Sequence, residues 1–295
     1  MTAECIRSLL KMKADDYEII VVDNGSKDGS VKYLGDLFPQ ITILPQDHNL
    51  GFAAGCNVGL KLALERGLQY VLPLNNDTVV DPDFLIELKR IAEEQPKAAI
   101  VSPKIYFWDF PDRLWWAGGE FSLWNGIAKH IGRKEVDTGQ FETDREVDWA
   151  TGCAFLMKSS VLKEIGAFDE SFFGNGEDLD LSLRIRAAGY KVWYAPKAKL
   201  WHKEGVDYRK NVGEQMRKFT ASRNSLYVMY KHASFMQWFT FIPNFMVRHV
   251  AFYIALSLIR ADFRSAWAVI RGVGAFPVMW HRLKRSVQVP QDHVS

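Results

Sequence analysis

Short apolar runs alternate with amphipathic stretches along the first hundred residues. Residues 2–12 place Cys5, Ile6, Leu9 and Leu10 on one side of a predicted helix. Glu18–Val22 is a run rich in β-branched residues that stops at Asp23-Asn24-Gly25, as a buried strand running into a loop does. A helix over Ser30–Leu37 and a strand over Ile41–Leu44 follow, then a helix over Ala53–Arg66 that Gly67 can end. Tyr70–Leu74 reads as a strand ending at Asn75-Asn76-Asp77, Asp83–Glu94 as a helix and Ala98–Ser102 as a strand. Strands that alternate with helices predict an α/β fold with an open, mostly parallel sheet. In such sheets ligands lie beyond the carboxyl ends of the strands, where both polar clusters fall.

Between about 105 and 147 the pattern is irregular and aromatic. Beyond it, Val147–Met157 reads as a strand, Ser160–Ile165 and Leu179–Ala188 as helices, and Val192–Ala195 as a strand. After Ser222 the chain turns apolar, basic and helical. We expect an α/β domain over 1–230 and a basic amphipathic helical segment over 231–295. The 295 residues carry a net charge of +2, which gives no reason to expect a nucleic-acid binder. Three scattered cysteines suggest neither a disulfide framework nor a metal cage, and fit a reducing, cytoplasmic setting. Met1–Arg7 has no apolar core of a signal peptide, and Arg248 and His249 interrupt the longest apolar stretch, Phe235–Ile259.

Candidate chemistry sits at the strand ends. Asp23 can accept the N3–H of a pyrimidine ring, or simply organise a turn with its Asn, Gly and Ser neighbours. Asp77 can hold a hard divalent cation, since such ions take one or two carboxylates plus substrate phosphates, or can cap the helix that follows. Glu177, Asp178 and Asp180 crowd a helix start, where capping and dipole chemistry is the bland account. The preceding Phe172 and Phe173 suit a lined pocket, in which a carboxylate serves as general base. His202 becomes a metal or phosphate ligand only if the fold brings it beside Asp77. Gly51, Gly55 and Gly59 would share one helical face and allow close packing on the sheet, which leaves Asn49 and Asn57 without an account. There is no dinucleotide fingerprint and no P-loop.

Each cluster is weak alone, but their order and spacing are specific. VVDNGSKDGS, HNLGFAAGCNVG, LPLNNDTVVDPDFL, the long stretch from WATGCAFLM through FFGNGEDLDL to KVWYAP, and WHKEG together resemble the family 2 glycosyltransferases, over roughly residues 3–230. The nearest likeness is to bacterial rhamnosyltransferase-like members that build surface polysaccharides. The resemblance implies a GT-A fold and an inverting transfer from a nucleotide-diphosphate sugar, rhamnose among the candidates, to a glycan or lipid-linked glycan acceptor. Asp178 matches the catalytic base. Asp23 matches the carboxylate that holds the donor base, with Asn24, Asn49, Asn75 and Asn76 on the donor side. Asp77 matches the ligand of a divalent metal, Mg²⁺ or Mn²⁺, and His202 a His that reaches the metal or diphosphate. Trp149, Gly152, Phe173 and Glu177 fall on the acceptor side, Trp149 and Phe173 as apolar faces for sugar rings.

Members of the family open with a further strand, ending in a short Thr/Trp–Tyr/Trp–Asn type motif, before the helix that begins here at Thr2. The expectation is therefore a sheet lacking that strand, with an unpaired edge on 18–22 and another on 70–74. This motivates an alternative, a non-catalytic fragment that binds membrane or partner enzymes. A third reading is a nucleotidyltransferase. In residues 233–285, seven Lys/Arg against the single Asp262 predict peripheral contact with the cytoplasmic face of the cell membrane.

Overall fold

The computed structural model describes residues 1–203 and 206–287, and side chains within 1–203 and 213–276. Glu204 and Gly205 of the WHKEG motif, and the side chains of Arg282, Lys284 and Arg285, lie outside the described residues.

The chain divides into two compact units, Met1–Phe121 with Ile127–Tyr208, and Ser122–Gly126 with Arg209–Ser295. In chain order the elements begin α1 (Thr2–Leu9), β1 (Ile20–Asp23), α2 (Ser30–Leu37), β2 (Thr42–Pro45), α3 (Phe52–Glu65), β3 (Tyr70–Val71), β4 (Thr78–Val80) and α4 (Phe84–Glu94). They continue β5 (Ala98–Phe107), β6 (Leu114–Trp116), β7 (Gly119–Ser122), β8 (Ile127–His130), β9 (Arg145–Val147) and β10 (Leu156–Lys158). Next come α5 (Ser159–Ile165), α6 (Glu177–Ala187) and β11 (Lys191–His202).

The main sheet runs β3-β10-β5-β11-β4, with β6 on β5 and β9 on β11. It is mixed: β5 and β11 are parallel, as are β1 and β2 in their own two-stranded sheet, while β10, β4, β9 and β6 join antiparallel. β5 is buried from Ala98 to Tyr106, which explains its unbroken apolar start. Helix α4 covers the sheet with Phe84, Leu88 and Ile91, each 1% exposed or less and each contributing about 1.5–3 kcal/mol by burial.

β1 pairs with β2, and β3 with β10; no pairing joins β1 to β3. Among the described residues β1 pairs on one side only, with β2, and β3 on one side only, with β10. Helix α3 bears on both strands, packing against Ile20 on one side and sharing a core with Val71 on the other. Of the three glycines expected to share one helical face, Gly55 and Gly59 lie on α3, whereas Gly51 is its N-cap at φ 86 and faces the Phe173 loop instead of the sheet. A Cβ on Gly59 would lie 3.1 Å from Val22 Cγ2, one on Gly55 3.1 Å from Asn24 Nδ2, and one on Gly51 only 2.6 Å from the Phe173 carbonyl.

Two strands run longer than their apolar patterns. β11 continues past Ala195 to His202 because a bulge between Ala195 and Lys199 absorbs Pro196, which has no N–H to give the ladder. The single strand expected over Val147–Met157 is instead β9 and β10, with an irregular Asp148–Phe155 strap between them.

The second unit holds α7 (Val206–His232, broken at Gly213), α8 (Phe235–Asn244), a π-helical turn (Phe245–Ala251), α9 (Phe252–Ile259) and α10 (Phe263–Val287). Most of α7 belongs to this unit. Among the described residues, Phe235–Ile259 is a helix long and apolar enough, by length and composition alone, to cross a membrane.

Candidate active site

Strand register builds the first half of the site. β4 runs antiparallel to the end of β11, pairing Thr78 with His202. This sets Asp77 beside His202, and His202 Nε2 lies 3.1 Å from Asp77 Oδ1. Both side chains are almost wholly enclosed, and the ring of Trp115 meets His202 edge-on at 4.8 Å. Burial opposes a charge on His202, but contacts with Cys153 and Asp77 prevail and raise its pKa to about 10. A buried carboxylate and imidazole directed at each other fit a divalent cation, which would replace the proton between them. Among the described residues no group of three or more His, Cys, Asp or Glu side chains gathers there, so a cation would draw its remaining ligands from substrate phosphates or water.

The Asn75-Asn76-Asp77 turn is pinned from several sides. Asn75 N–H donates to Cys153 O at 2.9 Å, Thr78 Oγ1 donates to Asn75 O at 2.7 Å, and Asn76 Nδ2 donates to Thr2 Oγ1 at 2.9 Å. The neighbouring residue of the same strap holds the second half of the site. Gly152 N–H donates to Asp178 Oδ2 at 2.7 Å, and Leu179 N–H donates to Asp178 Oδ1 at 2.8 Å. Gly152 and Cys153 thus tie the Asp178 carboxylate and the Asp77 turn to one short segment. A Cβ on Gly152 would lie 3.3 Å from the Phe52 ring and 3.4 Å from Asp178 Oδ2.

The three carboxylates at the start of α6 have different fates. Asp180 is fully buried and accepts from Arg184 Nε at 2.9 Å, while the same guanidinium donates to the carbonyls of Ile165, Gly166 and Ala167. It is structural. Glu177 is 6% exposed, and its Oε2 has no hydrogen-bond partner. Burial first, and the Asp178 charge second, push its pKa up to about 8. Asp178 keeps partial solvent access. Burial raises its pKa above the usual carboxylate range, against the backbone N–H groups of Gly152 and Leu179, which favour the anion. A neutral acid beside an anchored carboxylate suits one partner to proton transfer and the other to shaping the pocket.

Protonated Glu177 has a checkable consequence. Its folded pKa of about 8 exceeds the ordinary glutamate value of about 4.5, so wild-type stability falls as pH rises from about 4.5 to 8. Glu177→Gln copies the neutral form and removes that slope. Thermal unfolding should show the variant little changed near pH 5 and stabilised above pH 8, with Asp178 the neighbouring charge that bears on Glu177. Equal melting shifts at both pH values would show that Glu177 is already ionised.

The donor-side asparagines are engaged with each other. Asn24 Nδ2 donates to Asn49 Oδ1 at 3.1 Å and to Gly51 O at 2.9 Å, and Asn24 Oδ1 accepts from Leu50 N–H at 2.9 Å. They clamp the entry to α3, where Phe52 N–H donates to Phe173 O at 3.0 Å. Asn57 clamps the α5–α6 loop through Phe168, donating to its carbonyl and accepting from its N–H. Asp23 caps its own turn, accepting from Ser26 N–H at 3.0 Å. The Phe173 ring is exposed. Trp149 departs from the sequence expectation. It is 5% exposed, its Nε1 donates to Glu120 O, and its ring meets Trp116 and His130 edge-on, so it is a packed wall with no open face. The aromatic pattern between 105 and 147 gave no sign that Trp115 would reach His202, and Cys153 was read only as a scattered thiol.

The mixed sheet with its flanking helices has the GT-A fold. The chain belongs to glycosyl transferase family 2, whose family model matches residues 1–166. It is 26% identical over 206 residues to N-acetylglucosaminyl-diphospho-decaprenol L-rhamnosyltransferase of Mycobacterium tuberculosis, an alignment covering 62% of this chain and 66% of that protein. It is 28% identical over 210 residues to the O-antigen biosynthesis protein RfbC of Myxococcus xanthus, covering 68% of this chain but 16% of that much longer protein. Among solved structures, the mannosyltransferase PcManGT of Pyrobaculum calidifontis, in complex with GDP-Man and Mn²⁺, superposes with a TM-score of 0.53 at 15% identity, covering 98% of this chain and 72% of that one. GalNAc-T7 with UDP, GalNAc and Mn²⁺ gives 0.51 at 16% identity over 74% of this chain and 44% of that one. These two likenesses bear on the fold.

Proposed function

We propose that this chain transfers a sugar, with inversion, from a nucleoside-diphosphate donor to a hydroxyl of a glycan acceptor. The observation that carries this reading is the pairing of Asp77 with His202, tied through Gly152–Cys153 to Asp178. Asp178 takes the proton of the acceptor hydroxyl as it attacks the anomeric carbon, and Gly152 N–H fixes the carboxylate's direction. Asp77 and His202 hold a divalent cation, which when bound offsets the charge that develops on the departing diphosphate. Asp23 accepts from the donor's pyrimidine ring, and Asn24 with Asn49 shapes the loop beside it. Asn75 and Asn76 present the turn that carries Asp77. Phe173 and Gly152 border the acceptor, and buried Glu177 keeps that side neutral.

The mycobacterial relative's name supports rhamnose as the sugar and a lipid-linked diphosphate glycan as the acceptor. Such an acceptor implies work at the cytoplasmic face of a membrane. The non-catalytic alternative is not favoured, since a fragment kept only as a scaffold has no need of a buried Asp–His pair and an anchored base. A panel of nucleoside-diphosphate sugars, with Mn²⁺ or Mg²⁺ and lipid-linked acceptor, tests the proposal. Release of nucleoside diphosphate, abolished by chelator, is expected. Release of pyrophosphate would instead mark a nucleotidyltransferase, and transfer at full rate in excess chelator would remove the metal from the scheme.

A further inference from the structure

We infer that the outer face of the helical hairpin in the second unit lies in the plane of an anionic lipid surface. α8, the π-helical turn and α9 form one continuous helix of 25 residues, roughly 37 Å long. One side of it is packed inward, with Phe241, Phe245 and Ser257 buried, and two polar contacts join it to α7: His249 Nε2 lies 3.0 Å from Ser222 Oγ, and Lys218 Nζ donates to Ser257 Oγ. α10 returns over the same stretch of α7. A Cβ on its Gly272 would come 2.5 Å from Phe219 O and 2.8 Å from Ser222 Cβ, which is why a glycine is needed there. Both helices therefore use Lys218–Ser222 as a floor, and their opposite sides face outward together.

Those outward sides are apolar. Phe235, Phe239, Ile242 and Met246 recur at helical spacing and are all exposed. At the turn of the hairpin Ile259 is 83% and Phe263 67% exposed, and Trp267 and Ile270 continue the stripe along α10. An apolar face of this extent on a folded unit marks a binding surface.

Charge selects the occupant. Exposed Arg260, Arg264 and Arg271 border the Phe263–Trp267–Ile270 stripe, and Asp262 is the lone acid between residues 233 and 285. Asp262 is engaged locally, accepting from Ser265 N–H. Arginines that edge an apolar stripe can bury their stems beside lipid and keep the guanidinium at the phosphates. A protein partner would leave this one-signed border unexplained. Spanning is disfavoured by the same geometry. Arg248 is exposed at the middle of the long helix, and the polar contacts of Ser222, His249, Lys218 and Ser257 would have to enter the hydrocarbon as well.

This inference does not rest on sugar transfer, and its test needs no activity. Full-length protein is sedimented with vesicles of phosphatidylcholine alone or mixed with phosphatidylglycerol, at low and high salt. Three forms are compared after circular dichroism has shown each to be folded: wild type, Phe263→Glu with Trp267→Glu, and Arg260→Gln with Arg264→Gln and Arg271→Gln. Wild type is expected to prefer anionic vesicles and to be released by salt and by alkaline carbonate. The glutamate pair should lose binding to both vesicle types. Each arginine contributes about fivefold near an anionic surface, so the glutamine triple should bind anionic vesicles on the order of a hundredfold less tightly. Equal binding by all three forms, or none by wild type, overturns the proposal. So does a lipid-free dimer that the glutamate pair dissolves, which would make the face a subunit interface. Release by detergent alone would make the long helix a span.

Discussion

Asp178→Asn is expected to lower turnover by about 10²–10⁴-fold, the range that a positioned general base supplies. The substitution keeps the shape of the side chain. Its amide oxygen can still accept from Gly152 N–H or Leu179 N–H, so fold and donor affinity should change little. The fall should appear in kcat with KM for the donor nearly constant, because the proton is taken in the transition state and not in the ground state. Nucleoside-diphosphate release under saturating donor and acceptor is the measurement, with nucleotide titration as the control. Activity within a few-fold of wild type would take the role of base away from Asp178. A parallel loss of nucleotide binding and thermal stability would make the residue structural.

Asp77→Ala should have an effect of similar size by another route. It removes a carboxylate from the cation and leaves His202 enclosed without its 3.1 Å partner. Mn²⁺ affinity should fall by at least about tenfold, and donor binding should lose its dependence on metal. Asp77→Asn, which keeps the volume, separates lost ligation from lost packing. The wild-type control has a pH dependence of stated sign. His202 titrates near 10 in the metal-free protein, raised by Cys153 and Asp77 against the penalty of burial. It must release a proton before it can ligate, so metal affinity should rise with pH, by up to about tenfold per unit between pH 6.5 and 8.5. In the metal-free protein the Asp77–His202 pair adds stability that is fully present below the ordinary His value of 6.5 and lost as pH rises through about 10. Asp77→Ala should flatten both trends. Calorimetric Mn²⁺ titrations at two pH values decide the matter, and affinity unaffected by either pH or the substitution would leave the cation without this site.

Much of the fold was legible because local patterns and tertiary needs agree. The helix at Ser30–Leu37 and the strand at Tyr70 were readable from period and punctuation. The glycine spacing announced the close approach of α3 to β1 at Gly59 and to Asn24 at Gly55, but Gly51 precedes the helix and serves the turn against Phe173. Asp23, Asp77 and Asp178 could be picked out because each closes or opens an element where a polar side chain is not needed for the core.

What the tertiary structure alone decided is which of these groups meet. A proline at 196 looks like the end of a strand, and only the ladder with β5 shows a bulge absorbing it and β11 running on to His202. The pairing of Thr78 with His202 depends on a register between segments more than a hundred residues apart, and no local period encodes such a register. The same holds for the three carboxylates of α6. In the sequence they are alike, but enclosure leaves Glu177 neutral, Arg184 claims Asp180, and Gly152 N–H reaches Asp178. Trp149 carries an aromatic face that composition would offer to a sugar, and the packing of Trp116 and His130 covers it. The sequence determined where the polar groups would gather, because strand ends and helix starts are local features. Desolvation and long-range register determined what each one is able to do, because both depend on atoms contributed from distant parts of the chain.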